Sequence, residues 1–233
     1  MLMRRKGGGG EAAGEGNIFW TTMSDLLLGL AIIFMVLFVL AMTGFTQDTV
    51  KQKQTQMEAS KELVEKLKEA NIDAKVDPMT GDVKISDLEL FDLNSYELSA
   101  NGKLYLNKLI PIYVENIFEN AELESNITNI VVQGHTDSQQ YVNVSTENEQ
   151  FVKNMTLSLQ RANSVAEYIF KTNFNPNYDE KLRKMLVVEG RSYSDPVLVD
   201  GVEDFDKSRR VELKLKVKTF DILSRMGFVS FHD

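Results

Sequence analysis

The stretch IFWTTMSDLLLGLAIIFMVLFVLAMTGF, residues 18–45, decides how this chain is organised, because Asp25 is its only ionisable side chain. An apolar run of this length can cross a bilayer as a helix. Arg4, Arg5 and Lys6 precede it and favour a cytoplasmic N-terminus. The run exceeds a usual signal-peptide core and no small-residue cleavage motif follows, so we expect an uncleaved anchor. The remaining chain would then be extracytoplasmic, which means periplasmic in a Gram-negative cell.

Composition excludes several classes of function. The 233 residues contain no cysteine, which excludes disulfides, thiolate metal sites and cysteine nucleophiles. The net charge is −8, and almost all of this negative charge lies beyond residue 71. An acidic domain argues against nucleic-acid binding, whose main affinity term comes from neutralising phosphates.

The sequence divides into five predicted regions. Residues 1–17 are glycine-rich and are predicted to form a disordered cytoplasmic N-terminus. The transmembrane helix over 18–45 is followed by a linker helix over 46–71, which has strong helix formers but only a thin apolar stripe. This linker is either a dimer stalk or a solvated spacer, and its pattern fits both. A folded domain is predicted over 72–218, and a C-terminal tail over 219–233.

The folded domain is predicted to be of the α+β class, with helices packed on one face of a mixed sheet in the order ββαβαββ. Turn residues between short alternating runs predict a hairpin, and apolar positions at helical spacing predict helices. Pro111 is expected to kink or interrupt the first of these helices. The predicted elements are a hairpin over 72–86, a helix in the later part of 88–118, strands over 129–134, 185–190 and 211–217, a loop over 138–153 and a helix over 155–172.

Three sequence blocks in this domain form a recognisable pattern. Residues 134–137 are GHTD, residues 154–165 are NMTLSLQRANSV, and residues 209–212 are RRVE. Their order and content resemble the OmpA-like peptidoglycan-binding domain, and the resemblance covers about residues 72–218. It implies the OmpA-like fold and a partner in the cell wall.

The resemblance also implies a site for the free end of diaminopimelate in peptidoglycan stems, which carries an ammonium and a carboxylate. Asp137 would bind the ammonium. Arg161 would bind the carboxylate, because the planar guanidinium group binds carboxylates in bidentate fashion. Thr136 and Asn154 would add hydrogen bonds, and Arg209 would line the site.

Two features depart from the family pattern. Asp137 and Arg161 are 24 residues apart, which is longer than usual, and the excess falls in residues 138–153. Gln139 and Gln140 stand where the family has a glycine. The inserted residues either leave the pocket intact and add a lip, or displace the aspartate.

His135 is a candidate catalytic base within the GHTD block. No serine, cysteine or carboxylate pair completes a recognisable hydrolytic constellation around it. We therefore predict a packed or edge histidine, no metal site and no enzymatic activity.

Asp25 gives the chain a second resemblance. A basic N-terminus, one membrane helix with an aspartate near its start, a linker and an OmpA-like domain resemble the B subunits of ion-driven stators, flagellar MotB and Zorya ZorB. The segment FWTTMSD, residues 19–25, is similar to the W-x-x-x-x-D pattern of that family. The following LLLGLAIIFMVLF departs from flagellar members and favours a non-flagellar branch such as Zorya anti-phage defence.

This second resemblance implies an assembly in the inner membrane. Two copies of the chain would lie inside a ring of five polytopic MotA/ZorA-like subunits. Asp25 would bind H⁺ or Na⁺ from the periplasmic side and release it to the cytoplasm, and no further cofactor is implied. Removing a carboxyl group from water favours its neutral form, which suits a reversible ion carrier. The wall-bound domain would hold the dimer fixed while the ring of partner subunits turns around it.

Other functions remain open at the level of sequence. Asp25 can instead sit at the start of the membrane helix, where an anion suits the helix dipole, and the chain is then a passive tether between membrane and wall. An energy-transducing subunit of the TolR or ExbD kind shares the helix and its aspartate but has a different periplasmic domain. The hydroxyls of Thr21, Thr22 and Ser24 could help coordinate Na⁺ or satisfy their own backbone, so the ion is undetermined.

Overall fold

The computed structural model describes residues 12–92, 95–141 and 144–218, without the side chains of 12–18 and 44–48. The predicted C-terminal tail lies outside the described residues, as do residues 1–11 of the predicted N-terminal region. The chain forms two compact units, Met1–Val50 and Lys51–Asp233.

The first unit consists of the N-terminal part of helix α1, which spans Ala12–Glu69. Among the described residues, Phe19–Thr43 is the one stretch long and apolar enough to cross a membrane, judged by length and composition. Its side chains are all exposed. Because α1 begins at Ala12, residues 12–17 are helical and not disordered as we predicted. Alanine has the highest helix propensity, and two alanines open this helix.

The second unit contains an α+β domain, which confirms the predicted fold class. A short 3₁₀ helix covers Pro176–Tyr178. The helices are α2 Asp87–Leu90, α3 Ala100–Glu119, α4 Ala121–Asn126, α5 Glu147–Ile169, α6 Asp179–Met185 and α7 Phe205–Ser208. The strands are β1 Lys75–Val76, β2 Val83–Ser86, β3 Ile127–His135, β4 Leu186–Gly190, β5 Leu198–Val199, β6 Val202–Glu203 and β7 Arg210–Val217.

The main sheet has the strand order β1-β2-β7-β3-β4. Strands β3 and β4 are parallel and the other neighbours are antiparallel, so the sheet is mixed, as predicted. Strands β5 and β6 form a separate two-stranded hairpin that was not predicted. With α3 and α5 as the two long helices, the strands of the main sheet follow the predicted order ββαβαββ.

The two faces of the main sheet differ in chemistry, because successive side chains of a strand alternate between them. One face packs against α3 and α5 and forms a single hydrophobic core with them, as predicted. The core side chains of this face include Val83, Ile85, Ile130, Val132, Val211 and Leu213. The opposite face carries the polar side chains Gln133, His135, Arg210 and Glu212.

The predicted linker is part of the folded domain from Lys51 onward. Leu63 and Leu67 of α1 are each only 2% exposed and belong to the core. On the same helix, Gln56 donates a hydrogen bond to the Thr80 carbonyl oxygen at 2.8 Å. This portion is therefore not a solvated spacer, because it packs on the domain. A thin apolar stripe is sufficient because only one face of the helix touches the domain.

Two helices differ from their predicted extents. Helix α3 runs through Pro111 without interruption. Helix α5 begins at Glu147, so the second half of the predicted loop 138–153 is helical. The Thr146 hydroxyl caps this helix by accepting a hydrogen bond from the Glu149 amide at 3.2 Å. The T-x-x-E sequence at this point is a helix-start signature that our loop prediction overlooked.

Candidate functional site

The backbone of α5 lies directly on strand β3 at Gly134. A Cβ atom at position 134 would lie 2.0 Å from the Ser158 carbonyl oxygen, so only glycine permits this approach. Gly190 on the neighbouring strand packs against the same turn of α5. Asp137 follows Gly134 by three residues, and Arg161 follows Ser158 by three. The close contact thus brings the two charged groups to the same end of β3.

A cavity of about 400 Å³ opens beside this contact, and we call it the paired-charge cavity. It brings together all five residues that the OmpA resemblance predicts as peptidoglycan contacts: Thr136, Asp137, Asn154, Arg161 and Arg209. The cavity is also lined by Asp87, Gln139, Gln140, Tyr141 and Leu157.

Two ion pairs, each between an aspartate and an arginine, determine the charge of the cavity. Arg161 Nη2 lies 3.0 Å from Asp87 Oδ2, and these two side chains are only 4% and 7% exposed. Arg209 Nη1 donates a hydrogen bond to Asp137, and its Nη2 contacts Asp206. The four cavity charges sum formally to zero. Such a cavity offers both an anion and a cation to a ligand that is itself a zwitterion.

Neutral polar groups complete the cavity. Thr136 is buried, and its hydroxyl has no hydrogen-bond partner among the described residues. Asn154 Nδ2 donates to the Gln150 carbonyl oxygen at 3.2 Å, which fixes the amide on α5. The Tyr141 hydroxyl lies 3.5 Å from Asn154 Oδ1. A buried hydroxyl without a partner is costly, so the cavity favours a ligand that supplies one.

Comparison with known protein families shows which family this chain matches. The model of the OmpA family matches residues 90–210, which is more than half of the chain. The chain belongs to the OmpA family. The matched residues include the GHTD and LSLQRA blocks and most of the paired-charge cavity, so the predicted resemblance is confirmed.

Two relatives extend the similarity beyond the OmpA domain. The Zorya protein ZorB of Escherichia coli strain Crooks is 26% identical over 212 residues, which covers 86% of this chain and 88% of the relative. A Zorya protein ZorB of Escherichia coli O139:H28 is 24% identical over 211 residues, covering 85% and 80%. The predicted resemblance to ZorB is thereby confirmed.

The fold is also found in a solved structure. The crystal structure of a MotB-like protein from Desulfovibrio vulgaris has a TM-score of 0.51 and 20% sequence identity. The similarity covers 74% of this chain and 97% of that one. It shows that the helices and mixed sheet described above form a fold shared with MotB-like proteins.

The inserted residues add a wall to the cavity of the OmpA domain and leave Asp137 within it. Gln139, Gln140 and Tyr141 form this wall, while residues 142–143 lie outside the described part of the chain. Gln150 ties the wall to α5, because its side chain accepts from the Tyr141 amide at 3.0 Å and donates to the Gln139 carbonyl oxygen. Of the two possibilities raised by the sequence, the structure has the added lip.

His135 is a packed residue of the OmpA domain, as predicted, and does not line the cavity. It is 1% exposed on the polar face of the sheet, and its Nε2 lies 3.0 Å from Gln133 Oε1. Burial, together with the charge of Arg210, lowers the pKa of His135 to about 4. The imidazole is therefore neutral at pH 7.

A group of potential metal ligands surrounds this histidine. His135, Asp195 and Glu212 each offer an atom within 4.8 Å of the others. The guanidinium group of Arg210 already bonds both acids, with Nη2 at 2.9 Å from Asp195 and Nε at 2.5 Å from Glu212. A cation is thus already supplied by the protein, and the cluster is an internal ion-pair network.

Replacing Glu212 with glutamine should destabilise the OmpA domain. Burial would raise the pKa of Glu212, but Arg210 and Lys214 outweigh it and lower the pKa to about 2. This stabilisation is present above pH about 4.5 and is lost as the pH falls toward 2. We expect Glu212→Gln to lower the free energy of unfolding at pH 7 by about 3 kcal/mol, since it leaves the buried Arg210 short of a partner.

Urea titration of the full chain in detergent, followed by circular dichroism, measures this effect. The variant should also lose stability less steeply between pH 4.5 and 2. The control is Glu180→Gln, which removes an exposed pair with Lys184 and should change little. Equal effects of the two variants would contradict the importance of the buried network.

Asp25 lies inside the candidate membrane span, about 9 Å along the helix axis from Phe19 at 1.5 Å per residue. Its side chain is exposed on α1. A Cβ atom at Gly29, one turn later, would meet nothing within 4 Å, so this face is open to another helix. The Thr22 hydroxyl donates a hydrogen bond to the Phe19 carbonyl oxygen at 3.0 Å.

Sequence reasoning missed Asp87 and Tyr141. Asp87 lies 74 residues before Arg161, and no motif marks it. Tyr141 lies in the insertion, which the family pattern does not cover. Only the folded chain brings these two side chains to the cavity.

Proposed function

We propose that this chain is the peptidoglycan-anchored B subunit of an ion-driven stator, of a non-flagellar type related to Zorya. The observation that carries the proposal is the neutral pairing of two acids and two arginines in a cavity of the OmpA domain. The same chain has a candidate membrane span with Asp25 inside it. The similarity to ZorB covers 86% of the chain and so supports a shared role for the whole arrangement.

In the wall-binding half of the proposal, the ligand is the zwitterionic end of a diaminopimelate stem. Asp137 binds its ammonium and Arg161 its carboxylate. Arg209 contacts Asp137. Its positive charge keeps the sum of the four cavity charges at zero, so the zwitterionic ligand adds no net charge. Thr136 supplies its unpartnered hydroxyl, and Asn154 adds an amide.

In the membrane half of the proposal, α1 crosses the inner membrane once, with a cytoplasmic N-terminus and a periplasmic OmpA domain. Two copies stand inside a ring of five polytopic subunits of the MotA/ZorA kind. Asp25 takes up H⁺ or Na⁺ from the periplasmic side and releases it inward. A carboxyl group within a membrane helix is costly, and its position on an open helix face beside Gly29 suits a functional contact with another subunit. The role is mechanical and not enzymatic.

Binding to purified murein sacculi tests the wall-binding half. We expect the full chain in detergent to co-sediment with diaminopimelate-type sacculi, and Asp137→Asn to weaken binding by more than about tenfold. Loss of one partner from a desolvated charge pair costs about 2–5 kcal/mol. Sacculi with lysine-type stems, which have the ammonium but lack the carboxylate for Arg161, should bind more weakly than the diaminopimelate type.

The matched control is Asp179→Asn, which removes an acid that is 40% exposed on α6 and pairs with Arg183. This variant should bind as the unmodified chain does. Failure of the unmodified chain to co-sediment, or full binding by Asp137→Asn, would overturn the assignment of the cavity.

Two alternative functions predict different results from the one proposed. A flagellar MotB-type subunit would require a flagellar partner, whereas the two relatives described above are ZorB proteins. A passive tether would bind the wall equally well but would not need Asp25.

A further inference from the structure

Asp87 is a cavity acid for which the sequence motifs give no role. It is the first residue of α2 and is 5% exposed. Its carboxylate contacts Arg161 Nη2 at 3.0 Å, and its backbone N–H donates to the Arg209 carbonyl oxygen at 3.1 Å. Asp87 therefore contacts both segments that bring arginine to the cavity.

Three residues, Asp87, Phe91 and Ser95, each contact Arg161 and together hold it in place. Arg161 Nη2 pairs with Asp87, Nε donates to the Ser95 carbonyl oxygen at 2.9 Å, and the guanidinium lies 5.4 Å from the Phe91 ring centroid. The two polar contacts use one edge of the guanidinium group. Among the described residues, Nη1 has no comparable partner, which leaves the other edge for a ligand carboxylate.

We propose that Asp87 is a positioning residue of the peptidoglycan site. It orients Arg161 so that the free guanidinium edge receives the stem carboxylate, and it keeps the cavity electrically neutral for a zwitterion. This inference rests on the proposed wall-binding function and goes beyond it, because it makes wall attachment depend on an acid that does not itself contact the ligand.

Wall binding should depend on pH through the charge state of Asp87. The charged groups that face it are Arg161 on α5, Arg209 before β7 and Asp137 after β3. Burial raises the pKa of Asp87 to about 6, against the opposing charges of the two arginines. Protonation below that pH removes the anchor of Arg161 and leaves a net positive cavity, which repels the ligand ammonium. Binding should weaken as the pH falls from 7.5 to 5.

Stability should change in the opposite direction. The folded-state pKa of Asp87 lies above the ordinary value of 3.8, so the folded chain takes up this proton first. The contribution of Asp87 therefore favours the folded state increasingly as the pH falls from about 6 toward 3.8. Weaker wall binding without loss of folding would separate a positioning role from a structural one.

The experiment measures sacculus binding by the full chain in detergent at several pH values from 7.5 to 5. For the unmodified chain, we expect affinity to fall at least about fivefold over this range, the lower end of usual coupling between sites. Asp87→Asn should bind weakly at pH 7.5, show no such step, and lose the preference for diaminopimelate-type over lysine-type sacculi. The matched control is Glu89→Gln, an exposed acid on the same helix, which should retain the step and the preference.

The outcomes separate this inference from the proposed function. If the unmodified chain does not bind at pH 7.5, the wall-binding proposal itself fails. If it binds and Asp87→Asn keeps the same affinity and pH step, only the role of Asp87 is overturned. Should Asp87→Asn fail to fold by circular dichroism, Asp87→Glu decides the question: it retains the carboxylate and should retain a pH step, and a flat profile would overturn the role.

Discussion

Under the proposed stator function, Asp25→Asn is expected to abolish ion-driven activity completely while leaving the chain in the membrane and on the wall. Asparagine has nearly the same shape as aspartate but cannot take up and release a proton or neutralise Na⁺. The residue lies within the candidate membrane span, where a carboxyl group is costly and usually has a function or a partner. The measurement is made in cells that co-express the polytopic partner subunit. Ion entry and protection against phage should fall to the level of cells without this chain.

Two controls accompany this variant. Asp25→Glu keeps an exchangeable carboxyl group and should retain part of the activity. Thr43→Ala changes a hydroxyl at the opposite end of the candidate span, leaves the acid in place and should behave as the unmodified chain. Sacculus binding and membrane fractionation establish that each variant is in place. Full activity of Asp25→Asn would contradict an ion-carrying role and would favour the passive tether.

Gly134→Ala is expected to destabilise the OmpA domain strongly and to disrupt its cavity. The added methyl group would lie 2.0 Å from the Ser158 carbonyl oxygen, and both contacting groups belong to regular secondary structure. Either α5 or β3 must therefore move. Overpacking costs about 1–3 kcal/mol, and a clash between two backbone segments lies at the upper end of this range. Urea titration of the full chain should show the loss, and sacculus binding should fall even where the domain remains folded.

The reason for the second effect is geometric. Asp137 and Arg161 each lie three residues beyond the Gly134–Ser158 contact, so a displaced helix separates the two charges. The control is Gly29→Ala, the same substitution at a helical position where a Cβ meets nothing within 4 Å. It should leave the stability of the OmpA domain unchanged. Unchanged stability of Gly134→Ala would contradict the direct contact between α5 and β3.

The elements of the sheet were largely predictable because their signals are local. Alternation marked β7, an apolar run marked β3, and turn residues marked the β1–β2 hairpin. The five predicted contact residues also meet in one cavity, since the family pattern encodes their spacing. The β5–β6 hairpin was missed because each of its strands has only two residues.

The errors occurred where packing overrode a local pattern. Residues 55–67 have a stripe too thin to predict burial, yet Leu63 and Leu67 complete the core because the sheet and its helices offer a surface for them. Pro111 was expected to interrupt α3, but the helix continues on either side of it with several fully buried positions. The energy of burying such side chains exceeds the cost of one lost backbone hydrogen bond.

The sequence by itself determined the candidate membrane span with its lone acid, the α+β class and the family motifs, because each depends on residues that are neighbours in the chain. Only the tertiary structure decided that Asp137 pairs with Arg209, and Asp87 with Arg161, at separations of 72 and 74 residues. Coulomb interactions depend on distance in space and on burial, and neither can be read from positions along the chain. The charge balance of the cavity is therefore a property of the fold.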